Sequence, residues 1–267
     1  MLVLLLCAQI GAGARPIPPP PVRDHHVRMG AQVHRLWDPA SGNQIGLVPF
    51  VLAVDIFFHI GDSAVFNVDL RAQSRPSQSE TDSPAHRTVV LQGSSPRASG
   101  ALSFVIPAAP GDWRIIVKEA GRKLESSIDL PLSRIREASL AFSDLVIGAR
   151  GQGVTWRLAG EEITLAPNQI VSATELIQVY YQVRADTAVA QARTRMTVFR
   201  VIANSVQEDE VVSLSFPAEP IPTGISHVQR EIDVSHLGGS RYRVMVEVLA
   251  PNGERIGTTT GMLELIR

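Results

Sequence analysis

Cysteine is nearly absent: Cys7 is the only one in 267 residues. One thiol excludes an intrachain disulfide, and it excludes cysteine-rich zinc sites and iron–sulfur clusters. Charge is also sparse, at 19% of the chain, and it is balanced, with 25 basic against 26 acidic residues and a formal net of -1. A chain without a field of either sign has nothing to draw it to nucleic acid or an anionic membrane, so no nucleic-acid partner is expected. Aromatic residues make up only 5%. No apolar run reaches the ~20 residues that a membrane-spanning helix needs, so the mature chain is expected to have no spanning segment. What is present is 45% hydrophobic residues, enough for one or two medium domains held by packing alone.

The start is an apolar run without charge, MLVLLLCAQI at residues 1–10, followed by Ala12 and Ala14 in a small-residue cleavage pattern. It reads as a secretory signal over residues 1–14, although only the terminal amine supplies a basic n-region. Leu6 before Cys7 is too large for a lipidation signal. Cleavage after Ala14 leaves a mature chain without cysteine, which suits a bacterial exported protein, periplasmic or associated with the outer surface. Residues 15–30 open with Pro16 and Pro18 to Pro21, whose fixed φ and missing amides favour a polyproline II spacer.

Beyond the spacer the pattern has a period of two. Ala64, Phe66, Val68 and Leu70 alternate with Val65, Asn67, Asp69 and Arg71, a half-buried strand. Residues 47–58 are apolar on both parities and rich in β-branched and aromatic side chains, as a central strand would be. Trp113, Ile115 and Val117 share one face, and a returning strand follows Gly121. Residues 132–138 read as a connection with room for one helical turn. A second series follows at 141–147, 154–158, 163–165, 175–184, 196–202, 212–216, 228–234 and 242–248, with Arg230 interrupting the apolar parity of its strand. Pro251-Asn252-Gly253 is the best hairpin signal, with residues 256–265 returning beside it. Trp113-Arg114-Ile115-Ile116-Val117 and Tyr242-Arg243-Val244-Met245-Val246 precede similar glycine turns, a short internal repeat. The expectation is an all-β chain of two immunoglobulin-like or fibronectin-like β-sandwich domains in tandem, at 31–131 and 139–267.

Chemistry is harder to find. His25, His26 and His34 are not spaced as metal ligands, and His59, His86, His227 and His236 are isolated. No G-x-S-x-G elbow occurs, and Gly148 to Gly153 lacks the P-loop Lys-Ser/Thr. No cofactor, metal site or catalytic residue is assigned. Candidate contact residues are Trp37, which precedes a turn-like Asp38 to Asn43, and Tyr180, which opposes the apolar face of its strand. Arg75, Glu80 and Asp82 in the polar stretch 71–86, and Arg150 in the glycine-rich stretch 148–153, complete the set because surface loops carry binding groups.

Two segments carry a family resemblance. Pro110-Gly111-Asp112-Trp113-Arg114-Ile115-Ile116-Val117 is followed by Gly121-Arg122 and a strand. Leu140-Ala141-Phe142-Ser143-Asp144-Leu145-Val146-Ile147 is followed by Leu176-Ile177-Gln178-Val179-Tyr180-Tyr181. Together they resemble the β-rich C-terminal portion of bacterial exported proteins that carry a GWxTD domain, over roughly residues 49–181. The Gly-Trp-x-Thr-Asp segment itself is missing, so the resemblance implies exported β-domains and transfers no catalytic residue. The function expected is a non-enzymatic exported binding or structural protein of the bacterial cell envelope, with a protein or glycan partner. The alternative is an extracytoplasmic hydrolase whose site is assembled from separated strands.

Overall fold

The computed structural model describes residues 26–55, 63–73, 85–92, 97–107, 111–121, 125–149, 154–158, 161–166, 169–172, 176–202 and 207–266. The described residues form strands and turns and no helix, so the chain is all-β with several sheets.

The first eight strands are β1 (His26–Ala31), β2 (His34–Trp37), β3 (Gln44–Asp55), β4 (Ser63–Ala72), β5 (Ala85–Gln92), β6 (Arg97–Pro107), β7 (Gly111–Glu119) and β8 (Glu125–Leu132). β1 begins inside the stretch 15–30 read as a spacer, because His26 to Ala31 pairs with Asp55 to Phe50. β1 and β2 run in line along one side of β3, and β6 runs along the other. The break between β1 and β2 has a local cause. Gln32 N–H donates to the Pro49 carbonyl at 3.3 Å, but Pro49 has no N–H to return, so the ladder is interrupted there.

A second sheet has the order β5-β4-β7-β8. Alternate residues of β3 (Val48, Phe50, Leu52, Val54) meet Phe66, Val68 and Leu70 of β4 and Trp113, Ile115 and Val117 of β7 in one core. Each such side chain contributes roughly 1.5–3 kcal/mol on leaving water, which is how the unit holds without a cross-link. The apolar run at the start of β3 has a second explanation: its other face, Ile45 and Leu47, is covered by the second unit.

That unit contains β9 (Leu140–Phe142), β10 (Val146–Ala149), β11 (Val154–Leu158), β12 (Glu161–Leu165), β13 (Ile170–Ser172), β14 (Leu176–Ala185), β15 (Val189–Val201), β16 (Glu208–Ile221), β17 (Gly224–Asp233), β18 (Ser240–Leu249) and β19 (Arg255–Ile266). β14 lies between β9/β10 and β17, and the facing sheet has the order β13-β19-β18-β15-β16. Ile177, Val179, Tyr181 and Val183 pack against Met196, Val198, Val244 and Val246. The 252–253 hairpin forms as read: Gly253 sits at φ 84, and the Glu254 amide donates to Asn252 Oδ1 at 3.0 Å.

The two units share one connectivity. In each, a broken first strand, the second and the fifth make one sheet, and the third, fourth, sixth and seventh make the other. β11, β12 and β13 are an addition to the second unit. The repeat therefore extends far beyond the two terminal hairpins. Residues 133–138 form an irregular connection rather than a helical turn, and Ile135 within it is buried.

Candidate functional site

The two units are joined by a polar seam that begins with a bulge. Phe142 opposes Val183, but Val146 opposes Tyr180, so three residues lie opposite two and Asp144 is the extra one. A bulge re-aims the unpaired residue, and Asp144 points across to β2. Its carboxylate accepts from the Arg35 amide at 2.7 Å and from the Arg35 guanidinium at 2.5 and 2.9 Å. Its own amide donates back to the Arg35 carbonyl at 3.0 Å. These bonds to Asp144 raise the Arg35 pKa further.

Two residues further along β2, at Trp37, Gln182 repeats the motif. Its amide oxygen accepts from Trp37 N–H at 2.6 Å, and its amide nitrogen donates to the Trp37 carbonyl at 2.9 Å. Arg35 and Trp37 turn their backbone groups to the same side of β2, so Asp144 and Gln182 stand where a neighbouring strand would. Gln44 does the same in reverse: it accepts from the Ile135 amide at 3.0 Å and donates to its carbonyl at 3.2 Å. Leu36 and Leu47 from one unit and Val146, Ile163, Leu165 and Tyr180 from the other form the apolar half of the seam. His34 is buried beside it, and burial pushes its pKa down to about 4 while Asp144 acts in the opposite sense.

At one end of the seam lies a cleft of about 300 Å³, lined by residues of both units and of the connection: Trp37, Gln44, Arg136, Glu137, Arg184 and Asp186 among them. Among the described residues, none of those four charged side chains takes part in an ion pair. Two guanidinium groups and two carboxylates with unused hydrogen-bonding capacity suit a ligand that carries both donors and acceptors.

The sequence-selected residues divide unevenly. Trp37 lines the cleft but is only 1% exposed, packed with Ile135 and Ala141, and its indole nitrogen has no hydrogen-bond partner. Tyr180 does oppose the core face of β14, yet it too is 1% exposed, because the first unit covers that face. Its hydroxyl shares a 2.7 Å hydrogen bond with His227 Nδ1. Both residues thus join the units instead of presenting a surface. Arg75, Glu80, Asp82 and Arg150 lie outside the described residues. Arg35, Asp144, Gln182, Gln44, Arg184 and Asp186 were not singled out by sequence. A signal existed for one of them: Gln182 interrupts the apolar stretch from Val179 to Val183.

Hydrolytic chemistry would need a base and a nucleophile brought together. A His–carboxylate contact occurs at His86 Nδ1 and Asp69 Oδ1, 2.6 Å apart on the outer face of the first unit, with His86 55% exposed. Among the described residues, no group of three or more His, Cys, Asp or Glu is placed to hold a metal ion. A second cavity of about 240 Å³ lies between the sheets of the second unit near Tyr181, Thr194, Glu219 and Ser226. The Ser226 hydroxyl is buried without a hydrogen-bond partner, and the buried Tyr181 hydroxyl lies near Thr194. Burial raises the Tyr181 phenol pKa, which suits a neutral structural hydroxyl. Among the described residues, no helix is long and apolar enough to cross a membrane.

Comparison of the chain with protein-family models gives no match, and comparison with curated proteins gives none.

Proposed function

We propose that this chain is a non-enzymatic exported binding or structural protein of the bacterial cell envelope, made of two immunoglobulin-like or fibronectin-like β-sandwiches in tandem. Support for the sandwich class comes from the shared three-plus-four strand connectivity of the two units. It also comes from Tyr242 Oη, which donates to the Gly238 carbonyl at 2.9 Å, a corner bond of the kind such domains use. Support for export comes from the apolar start, the Ala12 and Ala14 pattern and the proline-rich stretch after it.

The observation that carries a binding role is the junction cleft beside the polar seam, lined by the uncommitted Arg136, Glu137, Arg184 and Asp186 side chains of two packed units and their connection. Convergent polar groups in a concavity between domains favour recognition of a protein segment or glycan. The experiment is capture from an extracytoplasmic fraction with the full chain, compared with Arg184→Ala and with deletion of residues 74–84. A partner that is captured reproducibly and lost with Arg184→Ala supports the cleft. Loss only on deletion moves the contact to residues 74–84. No partner, together with turnover in an unbiased hydrolase screen, supports the second reading, an extracytoplasmic hydrolase using the His86–Asp69 pair.

A further inference from the structure

The second unit has a cavity of its own, of about 240 Å³, that shares no lining residue with the junction cleft. Register decides which side chains meet in it. Ser226 opposes Val183 and Val228 opposes Tyr181 in one sheet, so all four turn to the inner face. Thr194 opposes Val248 in the other sheet, and Ala192 has the same parity as Thr194. Facing sheets stand about 10 Å apart. Met196 and Ile177 fill that gap further in, but Ala192, Thr194 and Ser226 are too short to fill it at this end.

The backbone of β16 is irregular at the same end. Its pairing with β15 slips twice there, and each slip holds a proline: Pro220 between Glu219 and Ile221, and Pro217 between Ser215 and Ala218. Proline has no amide for the ladder, and a bulged strand bends. Tyr181, Val183, Ala192 and Val248 form a buried floor, while Glu219, Pro220 and Pro222 are exposed at the rim. Three hydroxyl groups interrupt the apolar wall. Ser226 Oγ is buried without a hydrogen-bond partner, and the buried Tyr181 hydroxyl lies near Thr194. Charge at the rim is already compensated, because Arg230 Nη2 holds the Glu219 carboxylate at 2.9 Å. His227 also borders the cavity, but its Nδ1 shares a hydrogen bond with Tyr180 Oη. Among the described residues, the lining therefore offers hydroxyl groups and no uncompensated charge.

We propose that this cavity binds a small uncharged molecule with an apolar body and one hydroxyl or carbonyl group, the body against Val183, Ala192 and Val248 and the polar group at Ser226 Oγ. Size follows from volume. A dry cavity of ~150 Å³ holds benzene, so one of about 240 Å³ suits roughly ten non-hydrogen atoms. A buried water needs about two to four polar partners, which Val183, Ala192 and Val248 do not offer. A hydroxyl both donates and accepts, so Ser226 can serve either kind of polar group. A charged head would enter without a counter-ion and is refused.

The test uses the full chain and three probes of about that size: para-propylphenol, propylbenzene and octanoate. Titration calorimetry should give para-propylphenol a Kd on the order of 100 µM or below. Amide shifts in nuclear magnetic resonance should place it at Ala192 to Thr194 and Ser226 to Val228. Octanoate should bind at least about tenfold more weakly. Ser226→Val keeps the shape and removes the hydroxyl, so it should weaken para-propylphenol by about three- to tenfold and leave propylbenzene unchanged or tighter. The same substitution removes an unpartnered buried hydroxyl, so the urea midpoint should hold or rise. Ala192→Phe fills the floor and should abolish binding of both. If it misfolds, Ser226→Val still decides the matter. No binding at millimolar probe overturns the proposal. So does para-propylphenol binding that Ser226→Val leaves unchanged, or octanoate binding as tightly as the phenol, or shifts confined to another part of the chain.

Discussion

Gln182 and Trp37 stand 145 positions apart in the chain, and the side-chain amide of one closes both backbone groups of the other. Gln182 is fully buried, so loss of its amide leaves the Trp37 N–H and C=O without the partner they have. Unpaired buried backbone groups cost about 1–3 kcal/mol each. Gln182→Leu keeps the volume and removes the bonds. It should destabilise the protein by roughly 2–5 kcal/mol in urea unfolding followed by tryptophan fluorescence. Amide exchange should rise first at β2, not in the core of either unit.

Arg35 and Asp144 should behave as one element. Their side chains are 33% and 24% exposed, so the guanidinium–carboxylate bonds alone are partly screened by solvent. The Arg35 amide bond to Asp144 survives loss of the guanidinium but not loss of the carboxylate. Asp144→Ala is therefore expected to cost more than Arg35→Met, with a double-mutant coupling of about 0.5–3 kcal/mol. Equal single-mutant costs with no coupling would mean that the bulge does not depend on the pair.

His34 should make stability fall with acid. Its pKa is 6.5 when exposed and about 4 in the folded chain, where burial disfavours the cation. Between those values the unfolded chain binds a proton that the folded chain refuses, so stability drops as pH is lowered through the window and levels off below it. The full effect is roughly 3 kcal/mol. Denaturation midpoints measured from neutral pH to about pH 4 should slope less in His34→Gln than in the parent.

Gly148→Ala tests how closely β12 sits on β10. A Cβ at Gly148 would overlap the Thr164 carbonyl oxygen, which is backbone and cannot turn aside. The substitution should cost about 1–3 kcal/mol or more and loosen β11 and β12 in hydrogen exchange. Gly111→Ala, where nothing lies within 4 Å of the added carbon, is the matched control and should change little.

Period-two alternation was enough to locate β4, β7, β14 and β18 and to choose strand over helix, because a sheet with one buried face imprints that period on the chain. The glycine turns at Gly121 and Gly253 were legible for a similar reason: φ of 78 and 84 is a local demand that glycine meets. Tertiary structure decided the rest. β1 and β2 are short and carry no clear apolar alternation, and they are strands because β3 supplies their hydrogen bonds. Asp144 looks like any strand residue until the register against β14 slips by one. Trp37 and Tyr180 look like surface aromatics because only one face of their strands is apolar by pattern, and the second unit buries the other. A pattern within one strand records the face that packs against its own sheet partner. It carries no record of a face covered by residues more than a hundred positions away.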